Sequence, residues 1–404
     1  MGALTGIRVV ELTSERCALA GKLLGDMGAD VIVVEPPGGS PTRRYEPFAD
    51  DSGEMEDSLH WWHYNTSKRS VVVDLGTSTG VSDLRSLINS ADVVIEAEPL
   101  GSLSDLGIDW DDFSNKRSDL IWVSVTHHGR NGLSLAATDL TIMAEGGPVW
   151  SCGYDDQELP PIRGGGNQAF HGACQYAVAG TLVALLWRET SGKGQLVDVS
   201  MLGVANTTTE MATLWWLNSS REVQRQTGRH AHHSPTEWTQ IQCKDGLWFN
   251  TGVPPRTKTE FVALRSWIEE LDLVEKCAPY EILKLGDQFE KIGLFELDED
   301  PLAGEVFQAG RDAITFLGSC LDAYELFTGL QQRGIACGIV YSPDEMLKDP
   351  HFIERQFPTK ILHENRGESY LYPGAPYRFS ETPWSAYRSP ELGEHQNLII
   401  NDDL

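Results

Sequence analysis

Positive charge is scarce in this chain. Lys and Arg number 32 against 59 Asp and Glu, a formal net charge of −27 over 404 residues. Each contact to a nucleic-acid phosphate needs a cation, so nucleic acid is excluded as a general partner, and an anionic membrane surface with it. A phosphorylated ligand would need a locally basic pocket against this background. The seven cysteines are scattered and odd in number, with no Cys-x-x-Cys. That removes a disulfide framework and a redox pair and leaves reduced thiols, partly core residues. No spacing of His, Cys and carboxylates suits a metal, so none is expected. No Gly-x-Gly-x-x-Gly opens the first strand–helix unit, which removes the signature of a nicotinamide or flavin dinucleotide site. No membrane span is expected, on the premise that charge interrupts every stretch of about twenty residues. The N-terminus runs straight into a strand pattern, so no secretory leader is expected and a cytoplasmic location is.

What is present is patterned for an α/β fold. Residues 7–12 and 31–35 read as strands around a helix that ends at Gly28, the opening of a parallel, Rossmann-like sheet. Further strands are expected at 91–96 and 120–126, and a helix beginning at Asp139. The length suggests two domains. After a helix at 207–218 the chain turns polar over 219–227. An Asp245-Gly246 turn between alternating segments then marks a hairpin, and a helix is expected near 322–333.

The centre of the chain is the stretch 160–203. Pro160-Pro161-Ile162-Arg163 leads into Gly164-Gly165-Gly166, a helical run to Arg188, and Ser191-Gly192-Lys193-Gly194-Gln195. With Gly28-Ala29-Asp30-Val31-Ile32, Lys68-Arg69-Ser70, Leu106-Gly107-Ile108-Asp109 and Gly374-Ala375-Pro376, this stretch resembles the family III CoA-transferases, in order along nearly the whole chain. The resemblance implies a Rossmann-like large domain built from both chain ends (1–218 and 325–404), a linker at 219–227, a small α+β domain at 228–310 and a return linker at 311–324. It also implies an interlocked dimer.

The family's chemistry needs a carboxylate that attacks a CoA thioester to form an acyl-enzyme anhydride. Laid on this sequence without gaps, that position holds Phe170. Asp155, Asp156, Glu158 and Glu189 lie near it in sequence, but none keeps the spacing. The resemblance places Glu96, Glu98 and Asp105 where relatives pack the adenosine end of CoA, which makes that cleft electronegative. The cations left for a CoA contact are Arg43, Lys68 and Arg69, with Arg44 and Arg130 behind them. Thr138 stands where the racemase branch has a His. His127 and His128, and the cluster His230, His232 and His233, read as loop residues, and Gly164-Gly165-Gly166 as a tight turn.

This pattern implies a chain that binds no cofactor tightly and has no catalytic residue of its own. Its expected partner is a paralogous family III subunit that carries the Asp and binds the CoA thioester, as in the two-subunit succinyl-CoA:benzylsuccinate CoA-transferase. Two alternatives stay open: a stand-alone acyl-CoA lyase or epimerase, and a non-enzymatic scaffold.

Overall fold

The structure is a computed structural model that describes residues 1–132, 135–294, 297 and 299–400. The chain divides into two compact units, Met1–Arg225 with Ile353–Leu404, and Gln226–Phe352.

The large unit opens with β1 (Arg8–Leu12), α1 (Ala18–Asp26) and β2 (Asp30–Glu35), followed by α2 (Leu59–Tyr64) and β3 (Lys68–Val72). Next come α3 (Ser78–Ser90), β4 (Val93–Glu96), the short α4 (Ser102–Asp105) and α5 (Trp110–Phe113), and β5 (Ile121–Thr126). Then follow α6 (Asp139–Glu145), α7 (Gln168–Ser191), β6 (Leu196–Ser200), α8 (Met201–Thr207) and α9 (Glu210–Ser219). The strands form one parallel sheet in the order β3-β2-β1-β4-β5-β6.

The central strands are apolar on both faces because both faces are covered. Val9, Val31, Ile95, Val123 and Val125 pack with side chains of α1 and α7. Val10, Ile32, Val94 and Trp122 pack with Leu84, Leu87 and Ile88 of α3 on the other side.

Glycines set two of the joints. Gly192 ends α7 at φ 67 and donates its N–H to Arg188 O. A Cβ on Gly194 would lie 1.9 Å from Leu120 O, so only glycine lets the chain enter β6 alongside β5. The Ser-Gly-Lys-Gly-Gln motif is therefore a helix stop and a strand entry.

Helix α7 corrects the membrane premise. Residues 168–187 carry no Asp, Glu, Lys or Arg, and the helix is long and apolar enough to cross a membrane by length and composition. Here it packs on the sheet, burying Phe170, Cys174, Ala177 and Ala184.

The chain then forms β7 (Gln224–Gln226), β8 (Arg229–His232), β9 (Gln240–Gln242) and β10 (Trp248–Asn250). Helices α10 (Lys258–Glu270), α11 (Tyr280–Leu283), α12 (Pro301–Cys320) and α13 (Ala323–Gln332) follow, then β11 (Gly338–Ile339). The Asp245-Gly246 turn joins β9 and β10 as an antiparallel hairpin, with Gly246 at φ 86. The small unit runs further than the anticipated 228–310. The stretch 311–324, anticipated as a return linker, contains the second half of α12 and the start of α13. Ala313, Ile314 and Leu317 of α12 enter the small core with Phe249 and Phe261, and Leu326 and Leu330 of α13 join them. β11 pairs with β10, so residues 325–352 also belong to this unit, because its core is incomplete without them. The chain closes with α14 (Pro350–Glu354), the hairpin β12 (Pro358–His363) and β13 (Glu368–Pro373), and α15 (Asn397–Ile400).

Candidate functional site

In an open parallel sheet, ligands bind at the carboxyl ends of the strands where the order reverses. Here that point lies between β1 and β4. The loop after β1 carries Arg16 and Cys17, and the end of β4 carries Glu96 and Glu98. Phe170, in the first turn of α7, is 5% exposed and belongs to the core on this face.

A carboxylate does stand at the start of α7, but it comes from α6. Asp139 is buried, and its Oδ1 accepts the backbone N–H of Ala169 at 2.8 Å and of Phe170 at 3.4 Å. Its Oδ2 accepts from Arg163 Nη1 at 2.7 Å, and the same nitrogen also bonds Gly166 O. Asp139 thus caps the helix and anchors the glycine turn, which closes on itself through Arg163. Asp155, Asp156, Glu158 and Glu189 are all exposed. Thr138 caps α6 in a reciprocal pair with Thr141.

Two of the three cations assigned to CoA point inward. Lys68 Nζ donates to Glu11 Oε1 at 2.8 Å, to Ala18 O at 2.8 Å and to Asn65 Oδ1 at 2.9 Å, with no side-chain exposure. Burial pushes the Glu11 carboxyl up to about 7 although Lys68 opposes it. Arg43 is equally enclosed. It makes a two-pronged pair with Glu35 at 2.7 and 2.8 Å, a third contact with Glu56, and lies 3.8 Å over the ring of Trp61. Only Arg69 keeps a side chain open to solvent, 46% exposed beside Asp30.

The acidic group at the end of β4 is partly neutralised. Arg130 pairs with Asp109 at 2.9 Å and reaches Glu96 at 3.6 Å. Burial raises the Glu96 and Glu98 carboxyls, against the pull of hydrogen bonds at Glu96 and of Arg16 at Glu98. Asp105 is exposed. His128 bonds Glu145 at 3.0 Å and both His127 and His128 are part-buried rather than free loop residues. His230 and His232 lie on β8 rather than in a loop, and the His232 and His233 rings are 4.2 Å apart and tilted by 34°. Among the described residues no group of His, Cys, Asp and Glu is arranged to hold a metal ion.

Sequence reasoning missed one group altogether. His60, His63 and Tyr64 of α2 meet His171 of α7, with Tyr64 Oη 2.6 Å from His171 Nε2. Burial pulls His63 down to about 4, with Lys22, His171 and His60 adding to it. Burial also lowers His60 and His171, and raises the Tyr64 phenol. The i, i+3, i+4 spacing on α2 was a visible signal; the meeting with a residue 107 positions away was not.

Comparison with known proteins gives one consistent answer. The sequence profile of CoA-transferase family III matches residues 4–396. The chain is 30% identical to succinyl-CoA:(R)-benzylsuccinate CoA-transferase subunit BbsE of Thauera aromatica, over 97% of this chain and 92% of that protein. It is 28% identical to formyl-CoA:oxalate CoA-transferase of Streptomyces coelicolor, over 100% and 95%. It is also 28% identical to the succinyl-CoA–L-malate CoA-transferase beta subunit of Chloroflexus aurantiacus, over 99% and 94%. The crystal structure of a CAIB/BAIF family protein from Brucella suis superposes with a TM-score of 0.75 at 25% identity, covering 99% of this chain and 98% of that one.

Proposed function

This chain belongs to CoA-transferase family III, a class that uses CoA thioesters as substrates, and from that premise we propose that it is the non-catalytic subunit of a heteromeric transferase. The partner is a paralogous subunit that carries the Asp nucleophile and binds the thioester. Together they move CoA between carboxylic acids, with succinyl-CoA as donor and an aromatic dicarboxylate such as benzylsuccinate as acceptor. The observation that carries this reading is Phe170. Its ring belongs to the core, and the carboxylate that accepts its backbone N–H, Asp139, has both oxygens committed. The names of two relatives, each a subunit of a CoA-transferase, support a paired assembly. We extend the reading to an interlocked dimer and a cytoplasmic location. Of the three cations expected to contact CoA, Arg69 is the one left to touch the thioester that the partner binds.

The test is co-expression with a paralogue that keeps Asp at this position, followed by assay of CoA transfer from succinyl-CoA to benzylsuccinate. Activity from the pair and none from either chain alone is the expected result. Turnover by this chain alone would defeat the proposal and favour a lyase or epimerase, for which the Tyr64–His171 pair offers a proton-exchanging couple.

A further inference from the structure

A cavity of about 730 Å³ opens in the large unit at the amino ends of β1, β2 and β3. That is the opposite end of the sheet from the β1–β4 switch point. Gly6, Gly28, Asp30 and Arg69 line one side, and Tyr387 and His395 the other. The second side belongs to the C-terminal stretch, which closes the edge of β3. His395 N–H donates to Ser70 O, the Gln396 amide bonds both Val72 N–H and Val72 O, and Tyr387 O accepts from Ser67 N–H.

Three side chains keep donors free there. Arg69 spends only its Nε, on Asp30 at 3.1 Å, and among the described residues neither Nη bonds anything. His395 Nδ1 accepts the N–H of Ser70 at 3.3 Å, which leaves the proton on Nε2. Burial lowers this imidazole, with Arg69 and Arg388 adding to the effect and Glu394 and Asp30 opposing it. Tyr387 is 68% exposed, and among the described residues its phenol bonds nothing. The acids at the rim are already paired. Asp30 also takes Arg8 Nε at 3.1 Å, and Arg388 joins Glu364 at 3.1 Å and Glu394 at 2.5 Å. Arg8, Arg69 and Arg388 thus balance three carboxylates, which makes the cavity locally neutral in a chain of net charge −27.

We propose that this cavity binds a phosphoryl group, carried by a free phosphate ester or by the nucleotide end of a CoA thioester. The inference goes beyond the subunit reading and does not depend on it. An open guanidinium edge suits phosphate. A phosphoryl group presents three acceptor oxygens, so donors from both sides of the cavity can reach it, whereas a carboxylate has two oxygens in one plane. The volume is in the range that encloses a small organic ligand, and the Tyr387 ring gives an apolar wall for the body of the ester.

Isothermal titration of the full chain with AMP, CoA and inorganic phosphate tests this, with adenosine and succinate as controls. Saturable binding of AMP or CoA is expected, with phosphate competing for it and neither control doing so. AMP binding identifies a free ester; binding of CoA alone identifies the nucleotide end of the thioester. Arg69→Gln should weaken binding about tenfold and Tyr387→Phe about threefold. Both positions are exposed, so both variants should fold, and a thermal melt checks it. No saturable binding of AMP or CoA up to about 10 mM, unchanged affinity in folded Arg69→Gln, or equal binding of adenosine or succinate overturns the site. The co-expression assay reads the subunit role separately. An inactive pair leaves this site standing, and an active pair without phosphate binding removes this site alone.

Discussion

Replacing Lys68 with Met separates a structural lysine from one that faces CoA. The ammonium has three protons, and all three are used inside the fold, on Glu11, Ala18 O and Asn65. Met keeps most of the volume and removes the charge, so Glu11 is left buried with its partner gone. Breaking a buried pair from one side costs roughly 3–5 kcal/mol. At about 2–4 °C per kcal/mol this lowers the melting temperature by roughly 6–20 °C. Glu11 can limit the loss by taking a proton, because burial already holds its carboxyl at about 7. A folded pKa above the ordinary 4.5 means that its favourable contribution is present below 4.5 and is lost as pH rises through about 7. The Lys68→Met deficit should therefore be larger at pH 8 than at pH 5. Thermal melts followed by circular dichroism at both pH values measure it. Arg69→Met is the control: its exposed pair with Asp30 contributes at most about 1 kcal/mol. A shift below about 2 °C for Lys68→Met, with CoA binding lost, would refute the inward assignment.

Phe170→Asp should not restore transfer. It buries a carboxylate beside Asp139, at a cost of several kcal/mol, and a melt together with the transfer assay reads both effects; a stable, active variant would show an intact pocket. His63 works in the opposite pH direction to Glu11. Its folded pKa of about 4 lies below the ordinary 6.5, so its contribution is present above 6.5 and is lost as pH falls through about 4. His63→Gln should flatten the acid limb of a stability–pH curve by about 3 kcal/mol, and an unchanged limb would contradict the burial of that ring. Gly194→Ala places a methyl 1.9 Å from Leu120 O and should disrupt the β5–β6 junction; soluble expression at the wild-type melting temperature would show that the junction can yield.

Local chemistry made much of the scaffold readable. The apolar runs of β1, β2, β4 and β5 could only be buried strands, Gly28 stops the first helix, and Asp245-Gly246 announces its hairpin. The family resemblance, laid over the glycine turn and the Ser-Gly-Lys-Gly-Gln motif, pointed to Phe170, which the fold buries in the first turn of α7. Residues 311–324 misled because α12 carries an apolar stripe that matters only once Phe249 and Phe261 are there to receive it.

The large roles that sequence could not assign all depend on partners far along the chain. Lys68 and Arg43 look like ligand-facing cations until Glu11, 57 positions from Lys68, and Pro390 O, 347 positions from Arg43, are brought beside them. Tyr64 and His171 are unremarkable until α2 and α7 meet. A residue's type limits the bonds it can make. Which bond it makes depends on what the folded chain places within about 3 Å of it, and that was decided here by the packing of helices on the sheet.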